Sequence, residues 1–114
     1  MNAFDPGKYR AKITFQRNTE GDKWDDYITV SGYINGVSGN EFFIANAGYE
    51  AGLAVSIECR YQPLLMKINP MEFRAVSEGI VYELISPPDD LEMRHRFIKF
   101  RGRRVYTGGE YDDQ

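Results

Sequence analysis

The stretch YRAKITFQ (residues 9–16) decides how the rest of the chain reads. Tyr9, Ala11, Ile13 and Phe15 take alternate positions, with Arg10, Lys12, Thr14 and Gln16 between them. Successive strand side chains point to opposite faces, so the pattern predicts a strand buried on one face and wet on the other. Upstream, Asp5-Pro6-Gly7 is turn punctuation, and residues 1–8 read as a loose N-terminal arm. Downstream, NTEGD (residues 18–22) reads as a solvated hairpin loop. Its acids, with Asp25 and Asp26, lack the spacing of a twelve-residue calcium loop.

KWDDYITVSGYINGV (residues 23–37) repeats the alternation. Trp24, Asp26, Ile28, Val30, Gly32 and Ile34 fall on one phase, and Tyr27, Thr29, Ser31 and Tyr33 on the other. β-Branched and aromatic residues suit a pleated, half-buried surface. Gly32 inside the pattern suggests a bulge or bend of the kind a small barrel needs. The alternation returns at Leu53, Val55, Ile57, Cys59 and Tyr61 and stops at Pro63. LLMKINP (residues 64–70) reads as a connection with an exposed apolar surface. MEFRAV and IVYELIS around Ser77-Glu78-Gly79 read as two strands and a tight turn. Pro87-Pro88-Asp89-Asp90 breaks the chain before a last strand over residues 93–103.

One piece does not alternate. In SGNEFFIANAG (residues 38–48), Ser38 is placed as an N-cap with Glu41 three residues on, and Gly48 is a natural stop. A helix this short is held by packing or by a partner. The expected fold is all-β: a small β-barrel of about six strands with one short α-helix inserted between two long strands.

The chain's 114 residues make one domain's worth, and its 42% hydrophobic content suffices for one core. The net charge of -3 argues neither for nucleic acid nor for a membrane surface. No apolar run approaches the ~20 residues of a membrane-spanning helix. Cys59 is the single cysteine, which leaves no internal disulfide and no thiolate metal cluster.

Catalysis needs a constellation, and the residues supply none. His95, the single histidine, reads as an exposed strand residue. Cys59 lies on the apolar phase of its strand, where cysteine is common core filler. GVSGN (residues 36–40) lacks the lysine and spacing of a phosphate-binding loop. No enzyme activity, cofactor or metal is expected. RHRFIKFRGRR (residues 94–104) is different: it holds Arg94, Arg96, Lys99, Arg101, Arg103 and Arg104 without an acid, with Phe97 and Phe100 interleaved. Charge with rings is the pattern of a single-strand nucleic-acid barrel. An edge strand guarded by charge, with Phe100 inward, gives the same pattern.

GKYRAKITFQR (residues 7–17) resembles the opening strand of the phage head-tail adaptor, or head-closure, family. The resemblance continues through Trp24, the SGNEF helix start (residues 38–42), IECRYQP (residues 57–63) and GIVYEL (residues 79–84). It covers about residues 7 to 104 in order. It implies a non-catalytic virion protein, made in the bacterial host cytoplasm and placed in the virion neck. Such proteins form a ring, typically of twelve subunits, with portal or adaptor proteins above and tail or tail-completion proteins below. The ring joins head to tail, packaged DNA passes through its channel, and in some members the ring closes that channel.

On this reading the whole chain is a single head-tail joining domain. Glu41, Phe42, Phe43, Ile44, Tyr49 and Glu50 are candidate subunit or partner contacts, with packing across the barrel's open end as the alternative. The basic run lines the DNA channel or faces a neighbouring subunit. Residues 105–114 form a flexible acidic tail, whose Tyr111, Asp112 and Asp113 are candidates for docking on an adjacent ring. The competing expectation is an OB-like, single-strand nucleic-acid-binding barrel.

Overall fold

The computed structural model describes residues 9–36 and 54–105. They contain seven antiparallel strands: β1 (Ala11–Glu20), β2 (Lys23–Gly36), β3 (Ala54–Arg60), β4 (Phe73–Ser77), β5 (Ile80–Leu84), β6 (Asp89–Asp90) and β7 (Phe97–Arg104). Their order is β3-β2-β1-β4-β5-β7-β6, and β3 pairs back onto β7 along seven residues, from Ala54 opposite Arg103 to Arg60 opposite Phe97. That pairing closes the sheet on itself, as the all-β barrel expectation requires.

β5 and β6 are two parts of one interrupted staff of the barrel. Both lie on the side of β7 away from β3, with Leu84 opposite Gly102 and Asp90 opposite Ile98. Between them the Ile85 N–H donates to the Arg101 carbonyl, and Ser86 Oγ accepts the Arg101 N–H. Pro87 and Pro88 have no N–H to offer, so the ladder breaks there. The seven strands therefore make a barrel of six staves.

Alternation places the core as residues 9–16 predict. Ile13, Phe15, Ile57, Cys59, Ala75, Ile98 and Phe100 are fully buried. Large side chains meet small ones in register: Phe15 lies opposite Ala75, while its ring packs on that of Phe100 at 5.0 Å between centroids. The two hairpins close tightly. Gly21, at φ +57, turns β1 into β2, and Glu78-Gly79, both with positive φ, turns β4 into β5.

Three local expectations change. First, the bulge in β2 sits at Tyr27 rather than Gly32: Phe15 pairs with Ile28 and Gln16 with Asp26, leaving Tyr27 as the extra residue. The slip moves Trp24 and Asp26 out of phase with Ile28 and Val30, opposite the outward Asn18 and Gln16. Gly32 instead lies in continuous register between Ala11 and Cys59. A Cβ there would stand 2.6 Å from Ile13 Cδ1 and 2.9 Å from the Glu58 carbonyl oxygen, so glycine permits close packing.

Second, the connection after β3 is only partly exposed. Residues 63–67 form a 3-10 helix, and Leu65 with Ile68, three apart, enters the core while Leu64 and Met66 face outward. Third, the last strand begins at Phe97. Residues 91–93 form a 3-10 turn, so Arg94, His95 and Arg96 belong to a loop and not to a strand. The helix expected over residues 38–48 lies outside the described residues.

Candidate interaction surface

Outward side chains of β2, β1, β4, β5 and β7 form a row across the barrel. Gln16 Nε2 donates to Asp26 Oδ1 at 2.9 Å, and Arg74 Nε donates to Gln16 Oε1 at 2.8 Å. Arg74 stands opposite Glu83 in register. Arg103 donates to Glu83 Oε1 through Nη2 at 2.9 Å and Nε at 3.3 Å. The Arg74 guanidinium also lies over the Trp24 ring, 4.3 Å from its centroid, in cation–π contact. Cross-strand neighbours of opposite charge support a sheet, so this row both braces the wall and sets its polarity.

Beside the row is a shallow groove of about 330 Å³. Trp24, Met71, Val81 and Val105 give it apolar walls, with Arg74 and Arg103 along its side. The Tyr27 bulge is what turns Trp24 toward it. Val105, assigned from sequence to the tail, is tied to the barrel: its N–H donates to the Val81 carbonyl at 2.9 Å.

The basic run divides. Lys99, Arg101 and Arg103 alternate outward on β7, with Ile98, Phe100 and Gly102 buried between them, and Arg104 is exposed at its end. Lys99 stands opposite Glu58 on one side and Asp89 on the other, and Arg103 is paired with Glu83. Arg94 and Arg96 lie in the preceding loop, where Arg94 meets Glu92 at 3.5 Å. The interleaved rings divide as well: Phe100 is fully buried, while Phe97 shares the outward phase of Lys99 and is half-buried, stacked on Tyr9 at 5.8 Å. Base stacking needs exposed rings, which this strand lacks. Nor is it an edge, because β3 covers one side and β5 with β6 the other.

That loop has a defined shape. Glu92, Met93 and His95 have positive φ, a strained conformation for side-chain-bearing residues. Asp90 holds the far end, accepting the His95 N–H at 2.9 Å and facing Nδ1 at 2.5 Å. The imidazole stacks on Tyr61 at 4.6 Å.

Sequence reasoning missed the Tyr9–Glu58 contact. Buried Tyr9 donates its hydroxyl to Glu58 Oε2 on β3, and burial with the adjacent carboxylate raises its pKa. Tyr9 stands only two positions before β1, and its partner lies on a strand that no local pattern connects to it. Burial, then the Glu58 charge, raises the Cys59 thiol to about 12, as fits a core side chain. No cluster of His, Cys, Asp or Glu suited to a metal ion occurs among the described residues. Glu41, Phe42, Phe43, Ile44, Tyr49 and Glu50, with Tyr111, Asp112 and Asp113, lie outside them.

A closed antiparallel barrel with an outer wall of paired charges defines a small all-β barrel protein. The family model described as phage head completion protein matches residues 4–105, and the chain belongs to that family. It is thus a bacteriophage structural protein associated with the head. The fold is similar to the solution structure of protein SF1141 from Shigella flexneri 2a, with a TM-score of 0.64 and 24% identity over 89% of this chain and 96% of that one. A search of curated proteins found no match.

Proposed function

We propose that the chain is a non-catalytic ring subunit of the virion neck, seated between the portal or adaptor and the tail, with packaged DNA passing through the ring. Family membership supports the head-associated part of this reading. The observation that carries the rest is the closure of β3 onto β7. Closure makes a barrel without an open strand along β7, with Phe100 turned inward and Phe97 engaged by Tyr9, so that the basic run presents mainly charge. Such a wall meets phosphate or carboxylate surfaces without gripping bases, as a channel lining or subunit contact requires.

In this proposal Lys99, Arg101 and Arg104 face the channel or the neighbouring subunit. Glu41, Phe42, Phe43, Ile44, Tyr49 and Glu50 supply contacts to a partner. The test is complementation in vitro: heads made without this protein receive purified protein and then tails. The reading requires joining that depends on the added protein; heads that accept tails equally well without it would overturn the reading.

A further inference from the structure

The groove beside Trp24 has no part in the role proposed above, and its walls indicate what it takes. Outward positions of a barrel are ordinarily polar, yet Trp24, Met71, Val81 and Val105 gather there, with Met71 90% exposed. Arg74 and Arg103 against Glu83 leave the site one net positive charge. Its volume of about 330 Å³ suits one aromatic side chain with its flanking peptide, not a folded domain. A ring would cover Val81 and the edge of Trp24, while adjacent carboxylates would find guanidinium groups within reach. The matching ligand is an extended, acidic, tyrosine-bearing peptide.

The chain carries such a peptide, and it begins at the groove. Val105 is itself a wall, and residues 106–114, YTGGEYDDQ, follow it directly. Tyr111 is flanked by Glu110, Asp112 and Asp113. Gly108-Gly109 would tolerate the backbone angles of a reversal that returns the following residues toward Val81. So short a tether gives an effective concentration on the order of mM, so a weak contact suffices. We propose that the groove is a peptide-binding site whose occupant is residues 110–113 of the same chain. Arg74 and Arg103 keep their present contacts, and the incoming carboxylates add to the charge row.

Trp24 is the only tryptophan in the chain and reports directly on the groove. Its emission and its quenching by acrylamide are compared in the full chain, in Tyr111→Ala and in a chain ending at Val105, across a wide range of protein concentration. The expected result is a red shift and stronger quenching in both variants at every concentration. Added peptide GGEYDDQ should restore the full-chain spectrum to the shortened chain. Identical spectra in all three proteins would overturn the proposal. Protection that grows with protein concentration would also overturn it, because a second copy would then supply the occupant. Tyr111→Ala decides the matter should the shortened chain prove unstable.

Discussion

Gly32 in β2 lies so close to Ile13 in β1 that a Cβ added to it would stand 2.6 Å from Ile13 Cδ1. The same atom would meet the Glu58 carbonyl oxygen at 2.9 Å and Cys59 Sγ at 3.1 Å. All three neighbours are backbone or fully buried side chain, so none yields easily. Gly32→Ala should destabilise the protein by about 1–3 kcal/mol, the usual range for overpacking. Gly36→Ala, where no described residue lies within 4 Å, should be close to neutral. Urea melts of the two variants check the contrast, and equal stability would contradict the packing described for Gly32.

Alkaline pH should unfold the protein earlier than its charge alone suggests. Burial raises Cys59 from its ordinary 9.0 to about 12, and it also raises Tyr9 and Tyr82 above their ordinary 10.0. Each group holds its proton more tightly when folded, so its contribution is complete below the ordinary value and is lost as pH rises above it. Each adds a slope of up to about 1.4 kcal/mol per pH unit. Cys59→Ala should flatten the decline between pH 9 and 12 while lowering stability at neutral pH. Melts over that range show whether the slope falls.

The Arg103–Glu83 pair braces the wall but is half-exposed on its Glu83 side. Solvent screening limits such pairs to about 1 kcal/mol or less. A double-mutant cycle through Arg103→Ala and Glu83→Ala should give a coupling of that size, reduced by added salt. A coupling of several kcal/mol would mean that the row carries far more of the stability than its exposure allows.

Phe42 and Phe43 distinguish assembly from folding. As partner contacts, their replacement by alanine should leave the monomer's melting curve unchanged and abolish joining to heads. A variant that melts markedly earlier would place the two rings in the barrel's own core.

Much of the barrel was legible in the sequence because its signal is local. Tyr9, Ala11, Ile13 and Phe15 alternate, and three of the four are buried. Glu78-Gly79 marks its turn without help from distant residues. The errors arise where tertiary structure intervenes. One extra residue at Tyr27 reverses the phase of Trp24 and Asp26, and a periodicity count carried across it puts both on the wrong face. The residues from Met93 to Arg96 read as the start of β7 because they continue an apparent alternation, which the positive φ of Met93 and His95 interrupts. The candidate surface was less legible. The charges of β7 could be counted, but their balance depends on Glu58, Glu83 and Asp89, brought alongside only by closure. The groove joins Trp24 to Val105, from opposite ends of the described chain, and no window of sequence contains both.

The most direct measurement of the central claim is mass by light scattering on portal-containing heads, with and without the purified protein, beside a titration of the protein with single-stranded DNA. The account predicts a mass gain corresponding to a ring of subunits on each head, and little binding of the free protein to the DNA. Tight binding to single-stranded DNA with no gain in head mass would contradict it.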